Sequence, residues 1–180
     1  MQDMTGYYDV AHRQLGRLKG VAEAEGFSCH DVYDGEILRG IGLGVGFAIP
    51  LSDGEDGVSE VAAVSLSCGS PQLAYLTGGV LRDVTQDRMT ILETCNRATW
   101  DNPGFPAFLH ANDLGWDVLL QTRLPVEAFV GRPDLFGALV GSMPKFLEKV
   151  RAGLVSGQVT GSRYGWNTTD VRRLVGRSLS

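Results

Sequence analysis

From Arg39 to Pro50 the chain alternates with strict period two. Ile41, Leu43, Val45, Phe47 and Ile49 are interleaved with Gly40, Gly42, Gly44, Gly46 and Ala48. That periodicity predicts a β-strand, because successive side chains on a strand point to opposite faces. One face is wholly apolar and the other is nearly bare. A bare face lets another backbone or a helix approach closely, at some cost in strand stability. Ile41, Leu43, Val45 and Phe47 are therefore candidates for a partner-binding surface, although the plainer reading places the same side chains in the core. The glycines do not make a nucleotide site. A dinucleotide fingerprint needs its glycines in a turn between strand and helix, and no Gly-Lys-Ser/Thr of a phosphate loop occurs anywhere.

Other elements follow from spacing and punctuation. Tyr7, Tyr8, Ala11, Leu15, Leu18, Val21 and Ala22 recur at helical steps over Thr5–Glu25, and Gly26 is placed to cap that helix. The acidic turn 52–57 leads into strands predicted over Val58–Cys68 and Leu73–Val84, with a turn at Gly69–Pro71. Thr85 is a plausible N-cap for a second helix ending near Trp100. Phe105–His110 and Trp116–Arg123 flank Ala111-Asn-Asp-Leu-Gly115 and predict a hairpin. Pro133 opens a third helix with a broad apolar stripe from Leu135 to Leu154. Pro144 inside that stripe predicts a kink or a break. Beyond Val155 a short helix is expected near Val171, Leu174 and Val175, with Thr168 or Thr169 as its cap. The sequence thus predicts an α+β fold: an antiparallel sheet of about five strands, in the order α-β-β-β-α-β-β-α. Residues 1–154 form one domain and residues 155–180 a basic tail.

Charge narrows the partners. The net charge is −5, but residues 155–180 carry Arg163, Arg172, Arg173 and Arg177 against Asp170, leaving −8 on the rest. An acidic body disfavours nucleic acid, since that binding depends on neutralising phosphates. The basic tail can dock on the acidic body of its own subunit or a neighbour, or on an acidic partner. No apolar run approaches the roughly 20 residues needed to cross a bilayer. The first residues lack a basic patch followed by an apolar stretch, so a cytoplasmic protein is expected.

Few residue types are arranged for chemistry. Cys29, Cys68 and Cys95 are widely spaced, so neither a disulfide framework nor a metal site is expected. The acidic turn lacks the rest of a calcium loop. Neither Ser65 nor Ser67 sits in a nucleophile elbow. His110, Asp113 and Gln121 are the polar groups best placed to converge on a pocket between sheet and helices. That keeps open a ligand-binding or enzymatic domain, but with no nucleophile assigned, no catalytic residue or cofactor is expected.

Three stretches carry a family resemblance: Leu92-Glu-Thr-Cys-Asn96, Phe105-Pro-Ala-Phe-Leu-His110, and Gly115-Trp-Asp-Val-Leu-Leu-Gln-Thr-Arg-Leu-Pro125. With the helix from Leu135 onward and the order of elements, they resemble the YbjN-like proteins and related actinobacterial peptide-binding proteins of the type III secretion chaperone fold. The resemblance covers about residues 5–153. It implies a non-enzymatic, often dimeric domain that binds an extended segment of a client protein. The broad apolar stripe of the last helix offers such a dimer a self-complementary surface. The Gly-alternating strand and the basic tail have no counterpart in that resemblance.

Overall fold

The first helix forms where the three- and four-residue spacing predicts it. In the computed structural model, which describes residues 4–32, 44–53, 59–100 and 104–178, α1 spans Met4–Ala24. It closes at Gly26, whose N–H donates to Glu23 O while Phe27 N–H donates to Ala22 O. Six strands follow among the described residues: β1 (His30–Val32), β2 (Gly44–Asp53), β3 (Ser59–Ser67), β4 (Leu73–Val84), β5 (Ala107–Asn112) and β6 (Gly115–Pro125). Between β4 and β5 lies α2 (Arg88–Thr99). After β6 come α3 (Val126–Gly131), α4 (Pro133–Ser156) and α5 (Thr168–Ser178). The fold is α+β, built on one open antiparallel sheet in the order β1-β2-β3-β4-β6-β5.

Local details depart from the expectations in informative ways. The sheet gains a sixth strand, β1, too short to show a periodic pattern. Asp87, not Thr85, caps α2, its Oδ1 accepting from the N–H groups of Met89 (3.0 Å) and Thr90 (3.1 Å). A bond from the Thr90 hydroxyl, with those two, holds the Asp87 carboxyl below its usual range. Asn167, not Thr168 or Thr169, caps α5. Its Oδ1 accepts from Asp170 N–H (2.9 Å), while Asp170 Oδ2 accepts from the Asn167 amide (2.9 Å) and Gly165 N–H (3.0 Å). Pro144 does not break α4, which runs unbroken from Pro133 to Ser156. Pro144 is half-buried, while Val140, Met143 and Leu147 are fully buried on either side of it and hold both halves to the sheet.

Both faces of the sheet are covered. On the first face α1 and α4 pack over the sheet, with α3 against β6 and α2 beside α4 and β5. Val45, Phe47, Ile49, Ala62, Val64, Leu66, Leu76, Leu120 and the stripe of α4 form the main core. On the second face α5 lies over β1 to β4. There Val32, Ala48, Val61, Ala63, Leu119, Tyr164, Leu174 and Val175 form a second core. The bare side of the Gly-alternating strand is what α5 needs: a Cβ at Gly46 would come 2.8 Å from Val175 Cγ1 and 3.0 Å from Val64 O. Gly79 admits the Tyr164 ring in the same way.

The segment between α4 and α5 passes from one face to the other through a split in the sheet. Pairing of β3 with β4 stops at Ala62↔Gly78, while β4 continues with β6 through two irregularities to Val84↔Trp116. Ser162 and Arg82 exchange backbone hydrogen bonds (2.7 and 2.9 Å), and Trp166 N–H donates to Ser59 O (3.1 Å). The crossing is fastened by charge. Buried Glu60 accepts from Arg151 (2.7 Å) and Arg163 (2.9 Å). Burial pushes the Glu60 carboxyl up, against the pull of Arg151. Among the described residues, no helix is long and apolar enough to cross a membrane.

Candidate functional site

The predicted hairpin forms, and its place in the sheet gives it its interest. Because β4 pairs with β6, β5 is left at the edge of the sheet. The register from Asn112↔Gly115 to Ala107↔Leu120, with Gln121 N–H donating to Pro106 O (3.1 Å), fixes which backbone groups face inward. In an antiparallel pair, hydrogen-bonded residues alternate with residues whose N–H and C=O point away. Phe108, His110 and Asn112 therefore bond to β6, and Ala107, Leu109 and Ala111 turn their backbone groups outward. Pro106 sits just before the strand, and no charged residue lies between Phe105 and Asn112. Charged side chains on an edge are the usual protection against strand pairing, and β5 has none.

The side chains on this strand are partly open. Phe108 is 46% exposed and shares the second face of the sheet with His110, beyond the reach of α5. His110 Nδ1 lies 2.7 Å from Ala111 O, a bond that forms when that nitrogen carries the proton. His110 thus covers one of the outward carbonyls. Gln121, on β6, donates from its amide to Thr77 Oγ1 (3.0 Å). Asp113 is at the exposed hairpin tip, where Asn112 Oδ1 accepts from Leu114 N–H (2.7 Å). The three residues predicted to line one pocket accordingly have separate neighbours: a carbonyl at the edge, a threonine in the sheet, and solvent at the tip.

Val45 and Phe47 are 1% and 0% exposed on the core side of β2, facing α1 and α4, and Ile41 and Leu43 fall outside the described residues. Of the apolar stripe of α4, Phe136, Val140, Met143, Leu147, Val150 and Leu154 are buried on its own subunit's sheet, while Leu135, Leu139 and Phe146 are half-buried.

A polar cluster that sequence reasoning missed lies beside the hairpin, under α5. Asp117, fully buried on β6, accepts from Arg173 (Nη2 to Oδ1, 2.5 Å; Nε to Oδ2, 2.9 Å) and from the Asn112 amide (2.8 Å). Arg173 also bonds Asp83 (2.7 Å), and Arg82 joins Asp83 (3.1 Å) to Asp170 (3.0 Å). The Arg173 bond holds the Asp83 carboxyl below its usual range, and against the opposing effect of burial the hydrogen bonds that Arg173 donates to Asp117 and Asp83 raise its guanidinium. The signal for it in the sequence is slight: Asp117 shares a strand phase with Leu119, an acid where an apolar residue is expected.

The thiols of Cys29 and Cys95 are pushed up by burial to about 11, so neither is a thiolate at neutral pH. No group of His, Cys, Asp or Glu among the described residues is arranged to hold a metal ion. No protein-family profile matches the chain, and no curated protein matches it significantly. What the described surface does offer is an unpaired strand edge.

Proposed function

We propose that this domain is a non-enzymatic protein-binding module that receives an extended segment of a client protein as an added strand on β5. The observation that carries the reading is the outward backbone of Ala107, Leu109 and Ala111, beside a half-exposed Phe108 and without a charge to deter pairing. Strand addition draws its affinity from main-chain hydrogen bonds and its specificity from alternate side chains. A peptide on β5 would place every second side chain beside Phe108 on the second face of the sheet. The resemblance to secretion chaperones and YbjN-like proteins points to the same class of activity, with a homodimer as the assembly it implies.

Proline at position 111 tests this directly. The Ala111 N–H points out of the sheet, so Ala111→Pro removes an outward donor and leaves the β5–β6 ladder whole; edge strands tolerate proline on that side. Short random-sequence peptides displayed on phage are selected on the wild-type chain, and binding of the enriched peptides is measured on both chains. The proposal expects affinity to fall by about tenfold or more with Ala111→Pro, the loss of at least one peptide hydrogen bond plus a steric block, while the melting temperature stays within a few degrees. Peptides that bind both chains equally would contradict it, as would a selection that enriches nothing.

A further inference from the structure

The β5 edge runs into a second feature at the hairpin tip. Past Ala111 there is an open depression of about 430 Å3, lined by Asp83, Ala111, Asn112, Asp113, Leu114 and Arg173. Among the described residues, carboxylates outnumber guanidiniums in and beneath it: Asp83, Asp113, Asp117 and Asp170 against Arg82 and Arg173. Both cations are already held, Arg173 by Asp117 and Asp83, Arg82 by Asp83 and Asp170, so neither is offered to an incoming anion. Asp113 stands exposed at the tip, with no arginine or lysine of the described residues paired to it, and Leu114 beside it is 67% exposed. A negative mouth with an apolar lip suits a side chain that combines an aliphatic stem with a cationic head.

We infer that the segment received on β5 is a basic one: it carries a lysine or arginine that reaches this depression. The stem lies along Leu114 and the charge faces Asp113. Period two fixes the spacing, since Phe108, His110 and Asn112 share one face of the strand. The basic residue stands two or four places, toward the hairpin tip, from the residue that packs beside Phe108. This inference rests on strand addition at the same edge. It adds the chemical class of the partner: an extended, basic segment complementary to the acidic body of the domain.

The test uses the full chain and the same phage-displayed random peptides, selected in parallel on wild type and on Asp113→Lys. The substitution lies on an exposed turn, and the melting temperature is expected to stay within a few degrees. Wild type is expected to enrich lysine or arginine two or four places from an apolar residue, and Asp113→Lys to abolish that enrichment. Synthetic peptides from the wild-type selection should bind Asp113→Lys about tenfold more weakly, with the difference shrinking at high salt. Peptides that lose binding on Ala111→Pro but show no basic residue, or ignore Asp113→Lys, overturn this inference and leave strand addition standing. Peptides indifferent to both substitutions overturn the inference and strand addition together. So does a dimer in sedimentation that Ala111→Pro dissolves, because the edge then belongs to a second copy.

Discussion

Removal of residues 157–180 will lower the melting temperature by more than about 10 °C and expose apolar surface to a reporter dye such as ANS. The area these residues bury overstates the loss, because the freed chain regains conformational entropy. The lasting damage is to the sheet left behind. Ala48, Val61, Ala63 and Leu119 lose the cover of Tyr164, Leu174 and Val175. Asp117 loses Arg173, and Glu60 keeps only Arg151 of its two cations. Removing one partner of a buried ion pair costs about 3–5 kcal/mol, and each kcal/mol moves the midpoint by about 2–4 °C in a domain of this length. Calorimetry on the two chains decides the matter. A truncated chain that unfolds cooperatively within a few degrees of the full chain would mean that the first layer of helices suffices.

Arg173→Ala should be the most costly single change on that face. Asp117 is fully buried, and its other bonds include the Asn112 amide (2.8 Å) and a long one from Asp83 N–H (3.4 Å). We expect a loss of about 3 kcal/mol, the low end for breaking a buried pair because Arg173 keeps 22% of its side chain exposed. The pH dependence has a definite sign. Asp83 is held below its usual range chiefly by Arg173. The stability it contributes is complete above its unfolded value of about 3.9 and is lost as pH falls through the lower folded value. Denaturant titrations below about pH 4 should therefore show a steeper acid loss in wild type than in Arg173→Ala. Equal slopes would mean that this bond does not set the Asp83 carboxyl.

The parts of the fold legible in the sequence were those with local causes. The first helix and its Gly26 cap, the Gly-alternating strand from Gly44 onward and the β5–β6 hairpin each follow from spacing over a few residues. The bare face of that strand was readable as a surface awaiting close approach. That its occupant is α5 was not, because Val175 lies 129 positions from Gly46. The same distance in sequence hid the Arg173–Asp117 pair, 56 positions apart. β1 escaped notice because three residues cannot display a period, and only Val32 among them is buried. The candidate site was half legible. The hairpin could be read from its turn, but not that β5 is an edge, because β4 skips it to pair with β6.

The most direct test of the central claim is backbone amide hydrogen exchange along β5, followed residue by residue by NMR on the free protein. An unoccupied edge predicts alternation. The inward amides of Phe108, His110 and Asn112 should be protected by β6, and those of Ala107, Leu109 and Ala111 should exchange quickly, becoming protected when a selected peptide is added. Uniform protection of all six in the free protein would mean that the edge is already covered, and the proposed binding site would not exist.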